Sequence, residues 1–106
     1  MGIGLLDMRV EAFSTWLIEH EHEVVGIPRW CYQHPLAAWL SEVMGCVCGI
    51  DEGKFGRALW DFGRWLPLPR WAWLFALTLE SCRNEAVTGR EAFETLAAVE
   101  LALARS

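Results

Sequence analysis

Apolar residues recur at helical spacing in four separate windows of this chain. The first runs from about Asp7 to Glu23, where Phe13, Trp16, Leu17, His20 and Val24 form a stripe and Glu11, Glu19 and His22 the opposite side. Glu21 and Glu23 fall at its flanks, and Gly26 and Pro28 end it. A loop, GIPRWCYQH, leads to a second helix opened by Pro35, where the missing N–H of a proline is not needed. Its stripe is Leu36, Trp39, Leu40, Val43 and Met44, with Gly45 as the C-terminal cap. Pro67 and Pro69 stop regular structure and launch a third helix from about Arg70 to Cys82. The fourth opens on Thr88 followed three residues later by Glu91, a capping box, and runs to about Ala104. Ala92, Phe93, Leu96, Val99 and Leu103 face inward along it.

Between the second and third helices the period changes. CVCGIDEGKFGRALWDFG holds four glycines, too many for a helix. Short β-branched or aromatic runs flank Asp51, Glu52 and Gly53, which predicts a hairpin with those residues as its turn. The expected fold is mainly α: about four helices with a small β-hairpin or irregular insert between the second and third. The 106 residues form a single compact domain, long enough to bury a core without staples.

Three helix openings carry a resemblance. Pro35, Leu36 and Ala37 with Leu40, then Leu68, Pro69, Trp71 and Ala72, then Thr88, Glu91 and Ala92 resemble the PLAxWL, LPxWA and TxxEA helix starts of small uncharacterised bacterial open reading frames. The resemblance covers about a third of the chain and implies no activity.

Composition makes surplus apolar surface the feature to explain. Apolar residues make up 54% of the chain before its nine glycines are counted, above the usual range for a soluble domain. The longest apolar run, Trp71 to Leu79 even with Thr78 allowed, falls well short of the roughly 20 residues that span a bilayer. The opening MGIGLLDMRV lacks the basic and long apolar parts of an export signal, and Leu6 stands where myristoylation needs Ser or Thr. A cytoplasmic, bacterial-type protein with four reduced cysteines is therefore expected, with no membrane partner.

Net charge is −5, but unevenly spread. Residues 53–75 carry Lys54, Arg57, Arg64 and Arg70 against Asp61 alone, while the segments on either side are acidic. Nucleic-acid binding through the basic, Trp-rich segment 54–71 is one reading, with bases stacked on Trp60 or Trp65. Four cations on an otherwise acidic chain disfavour it.

The chemical motifs are sparse. In EHEHE, His20 and His22 are two residues apart and point in nearly opposite directions on a helix, and the metalloprotease spacing would need a histidine at Val24. Cys31, His34, Cys46 and Cys48 could supply four zinc ligands, though Cys-x-Cys is tighter than the usual knuckle, and packed core thiols are the preferred reading. Asp61 to Gly63 matches the kinase tripeptide by chance, and DEGK is not a phosphate loop. No catalytic residues and no cofactor are expected.

The third helix is apolar on two sides. Trp71, Phe75, Leu79 and Cys82 lie along one, Trp73, Leu74 and Leu77 along the other. A helix of this kind is either sandwiched in a core or turned half outward to a partner. The size of Trp73, Leu74 and Leu77, with Trp60, Arg64, Trp65 and Arg70 close by, points to a partner-binding surface. The function expected is a small non-enzymatic protein-binding module, whether homo-oligomer, adaptor or inhibitor. The alternatives are nucleic-acid binding and a zinc-stabilised module.

Overall fold

The computed structural model describes residues 8–51, 53–57, 63–83 and 85–105. Among these residues four helices surround one core: α1 (Val10–Glu19), α2 (Pro35–Met44), α3 (Arg70–Cys82) and α4 (Gly89–Arg105). Two small antiparallel sheets join them. The first pairs β1 (Val24–Gly26) with β5 (Val87–Thr88), and the second orders β2 (Gly49–Asp51), β3 (Lys54–Gly56) and β4 (Leu66–Pro67).

The first helix is shorter than its apolar pattern suggests, ending at Glu19 with His20 as its cap. The reason lies in α4. The first N–H groups of any helix lack partners within it, and here Gly89 donates to the Glu23 carbonyl at 3.0 Å and Arg90 to the Glu21 carbonyl at 3.1 Å. Residues 21–23 are thus spent on capping α4 rather than prolonging α1. The approach is close enough to require glycine, since a Cβ on Gly89 would stand 2.4 Å from the carbonyl oxygens of Leu17 and His20. Beyond this turn the period changes to that of a strand, so Val24 faces solvent and Val25 enters the core.

The capping box is formed in both directions. Thr88 N–H donates to Glu91 Oε1 at 2.9 Å, and Glu91 N–H donates to Thr88 Oγ1 at 3.2 Å. Ala92, Leu96 and Val99 are buried on α4, with Phe93 and Leu103 half-buried beside them. On α2, Gly45 takes the left-handed cap conformation at φ 71°, as expected. Ala37 completes the buried face there, and Val43 is exposed.

The hairpin forms at the expected place, except that Asp51, expected in the turn, closes the first strand. Ile50 pairs with Phe55 and Asp51 with Lys54, and Gly53 has φ 77°. Glu52 lies outside the described residues. Two further expectations are corrected: the β1–β5 sheet lies outside the single hairpin expected, and Pro67 does not stop the sheet but joins it, opposite Lys54 on the third strand. A proline is tolerated there because an edge strand leaves one side of its backbone unpaired. The core centres on Phe13, whose ring contacts those of Trp39 at 5.0 Å, Phe75 at 5.2 Å, Trp71 at 5.7 Å and Trp16 at 6.1 Å. Among the described residues, no helix is long and apolar enough to cross a membrane.

Candidate binding cleft

Residues Trp73, Ala76, Leu77 and Glu80 follow the i, i+3, i+4, i+7 rule and share one face of α3. That face forms one wall of a cleft of about 480 Å³. The loop after β1 forms the opposite wall with Pro28, Arg29, Trp30 and Cys31, and the hairpin supplies Ile50, Asp51 and Gly53. The hairpin is anchored to the start of α3 by the Leu68 N–H, which donates to the Gly53 carbonyl at 2.7 Å. The Trp73 ring lies over Gly53, where a Cβ would come within 3.3 Å of it.

The rim is apolar and open. Trp30 is 60% exposed, Leu77 44% and Trp73 38%. Charge is set between these side chains. Burial pushes the Glu80 carboxyl above its usual range; Arg29 draws it back, and Asp51 pushes it further up. Among the described residues, Arg29 gives its hydrogen bond to the Glu80 backbone carbonyl, at 3.1 Å, rather than to a carboxylate. Asp51 also reinforces burial in raising the Cys31 thiol, so that thiol stays protonated at neutral pH.

His34 forms part of the same wall and is 1% exposed. Its Nδ1 accepts the Leu36 N–H at 3.1 Å and caps α2. Burial lowers the ring to about 3, so it is neutral at physiological pH. With Nδ1 accepting, the single ring proton belongs on Nε2. That nitrogen is buried and has no hydrogen-bond partner among the described residues. Leaving such a donor unmatched costs about 1–3 kcal/mol, which makes it a feature to explain.

The residues expected from sequence fall into three groups. Trp73 and Leu77 meet in the cleft. Trp65 and Leu74 do not: pairing of Phe55 with Leu66 carries the neighbouring Trp65 into the fold at 6% exposure, and Leu74, about 100° further round α3 than Trp73, packs against the core. Arg64 and Arg70 are exposed but do not line the cleft. Trp60 lies outside the described residues. Sequence reasoning missed Arg29, Trp30, Asp51 and Glu80 as a set, because only the fold brings three distant segments together. The bulky Trp30 in the loop GIPRWCYQH was the one local signal.

The four zinc candidates are dispersed in role. Cys31 and His34 line the cleft, whereas Cys48 is buried and donates to Met44 Sδ at 3.3 Å. Burial, reinforced by Cys46, raises the Cys48 thiol to about 11. Among the described residues, no three His, Cys, Asp or Glu side chains are placed to hold a metal ion. Comparison with known proteins gives no match to any family, curated protein or solved structure.

Proposed function

We propose that this chain is a small, non-enzymatic protein-binding domain and that the cleft along α3 is its contact surface. One observation carries the reading: Trp30, Trp73 and Leu77 stand exposed around a single cavity. Their open area is on the order of 300 Å², the size at which an apolar patch on a small monomer is often functional. Tryptophan is also a frequent interface anchor, since it buries a large area while freezing few torsions.

The polar groups favour binding over catalysis. The basic nitrogen of His34 is occupied by a backbone N–H, so it is not available as a general base. The Cys31 thiol is held protonated, the opposite of an activated nucleophile. Nucleic-acid binding draws less support, because the buried Trp65 ring cannot stack on a base.

Site-specific photocrosslinking tests the proposal. A benzophenone side chain in place of Leu77 should give a discrete protein adduct in cells, lost on adding Glu80→Arg. An adduct of twice the chain mass identifies the partner as a second copy. Adducts that disappear only with nuclease would transfer the site to nucleic acid and end the protein reading.

A further inference from the structure

The chain leaving α2 carries three sulfurs at alternate positions, Met44, Cys46 and Cys48. The backbone gathers them. Gly45 takes the left-handed conformation that ends α2, so the chain doubles back beside the residue it has just left. Ser41, one turn back in the helix, pins the far end. Its Oγ accepts the Cys48 N–H at 2.9 Å and donates to the Ala37 carbonyl at 2.7 Å. Val47 is exposed, while the cysteines on either side of it pack on the core.

The outcome is a sulfur cluster. The Cys48 thiol donates to Met44 Sδ at 3.3 Å and lies 3.5 Å from the Cys46 carbonyl oxygen. The Cys46 and Cys48 thiols are within hydrogen-bond reach of each other. Among the described residues, no histidine or carboxylate joins the two cysteines in a metal-binding group. Zinc, which takes four ligands in a structural site, is therefore poorly served. Copper(I) has other needs: it is soft, selects thiolate and thioether sulfur, and is satisfied by three ligands. Three sulfurs around one ion, at metal–sulfur bonds of about 2.3 Å, stand about 4 Å apart. The cluster reaches that spacing by small side-chain rotations. Access is also provided, since Met44 and Cys46 are half-buried and both lie against the buried Cys48 thiol.

We propose that Met44, Cys46 and Cys48 form a three-coordinate site for a copper(I) ion. Cys46 and Cys48 bind as thiolates, each releasing its proton, and Met44 Sδ adds a neutral third bond. Copper stays monovalent throughout. Arg57, whose charge already acts on the Cys48 thiol, offsets the single negative charge of the loaded site. None of the three sulfur residues lines the cleft, so the site is independent of the protein-binding reading.

The test is anaerobic titration of the reduced chain with copper(I) in competition with a chromogenic copper(I) chelator. One ion should bind per chain, and the Met44 methyl resonance should shift as it does. Cys46→Ser and Met44→Leu should each weaken binding by at least about tenfold, since each removes a direct bond to the metal. Met44→Leu conserves volume and Cys46 is half-buried, so both variants retain the fold. Cys31→Ser and Cys82→Ser should change nothing. Undiminished affinity in Met44→Leu, or an unmoved Met44 methyl, overturns the three-sulfur site. Losses in the Cys31 or Cys82 variants as large as in Cys46→Ser also sink it, because any thiol would then serve. Zinc that displaces copper at equal concentration would assign the sulfurs to a four-coordinate ion instead. Complete loss of copper to the chelator ends the inference outright.

Discussion

Trp71 and Trp73 are separated by one alanine on the same helix, and they meet different fates. Trp71 is fixed from several directions: its indole N–H donates to the Met8 carbonyl at 3.1 Å, and its ring packs near Phe13 and Trp39. Trp73 rests one face on the hairpin turn at Gly53 and keeps 38% of its surface open. The difference is one of available partners, not of residue type. Among the described residues, α1 and α2 deliver aromatic rings to α3 and α4 packs along it, while its Trp73 side meets a turn and a loop. Ala72, Phe75, Ala76 and Leu79 therefore stabilise the fold, and Trp73, Leu77 and Glu80 border a space that the fold leaves unfilled.

The sharpest way to break this distinction is Phe75→Ala. The ring is fully buried, edge-on to Phe13, so truncation should cost about 3–5 kcal/mol through lost burial and the cavity left behind. Urea unfolding measures it. A cost near that of a surface change would mean that the two sides of α3 are not distinct.

Acid should come next. The His34 ring is held at about 3 in the folded chain against 6.5 when free. Between those values the unfolded chain binds a proton that the folded chain refuses, so folding stability falls as pH drops. The slope is up to about 1.4 kcal/mol per pH unit, beginning near pH 6.5. His34→Asn keeps an oxygen to cap α2 but removes the titrating ring, and should flatten the slope in denaturation curves taken across this window. An unchanged slope would show that His34 is not protected from protons.

A smaller effect belongs to the other end of the molecule. Thr88→Ala removes one half of the capping box and should cost about 1 kcal/mol, read as a lower urea midpoint with unchanged slope. That box was readable directly from Thr88 and Glu91 because every partner lies within one helical turn. The same holds for α3, which spans the expected residues, and for Gly45 and the hairpin. What could not be read needs distant chain. The early end of α1 depends on backbone donors of α4 nearly seventy residues away, and β4 depends on Lys54 and Phe55. The cleft was legible in the same proportion. Trp73 and Leu77 could be placed on one helical face, but Trp30, Asp51 and Glu80 join them only through the register of the hairpin and the path of the loop after β1.

The smallest stability effect should accompany the largest effect on association. Leu77 is 44% exposed on the rim, so Leu77→Asp should change stability by no more than about 0.5 kcal/mol. It adds a third carboxylate beside Asp51 and Glu80 and removes apolar cover, so an apolar partner surface loses contact area. Desolvated packing dominates hot spots over rim charge, and the crosslink to the partner, read from a benzophenone at position 73, should therefore be lost. Leu77→Lys separates the contributions: it removes the same cover and brings the opposite charge. If the Asp variant retains the partner and the Lys variant loses it, charge governs the cleft and the apolar rim is secondary. If both lose it with thermal unfolding unchanged, the exposed side of α3 serves recognition and the buried side serves the fold.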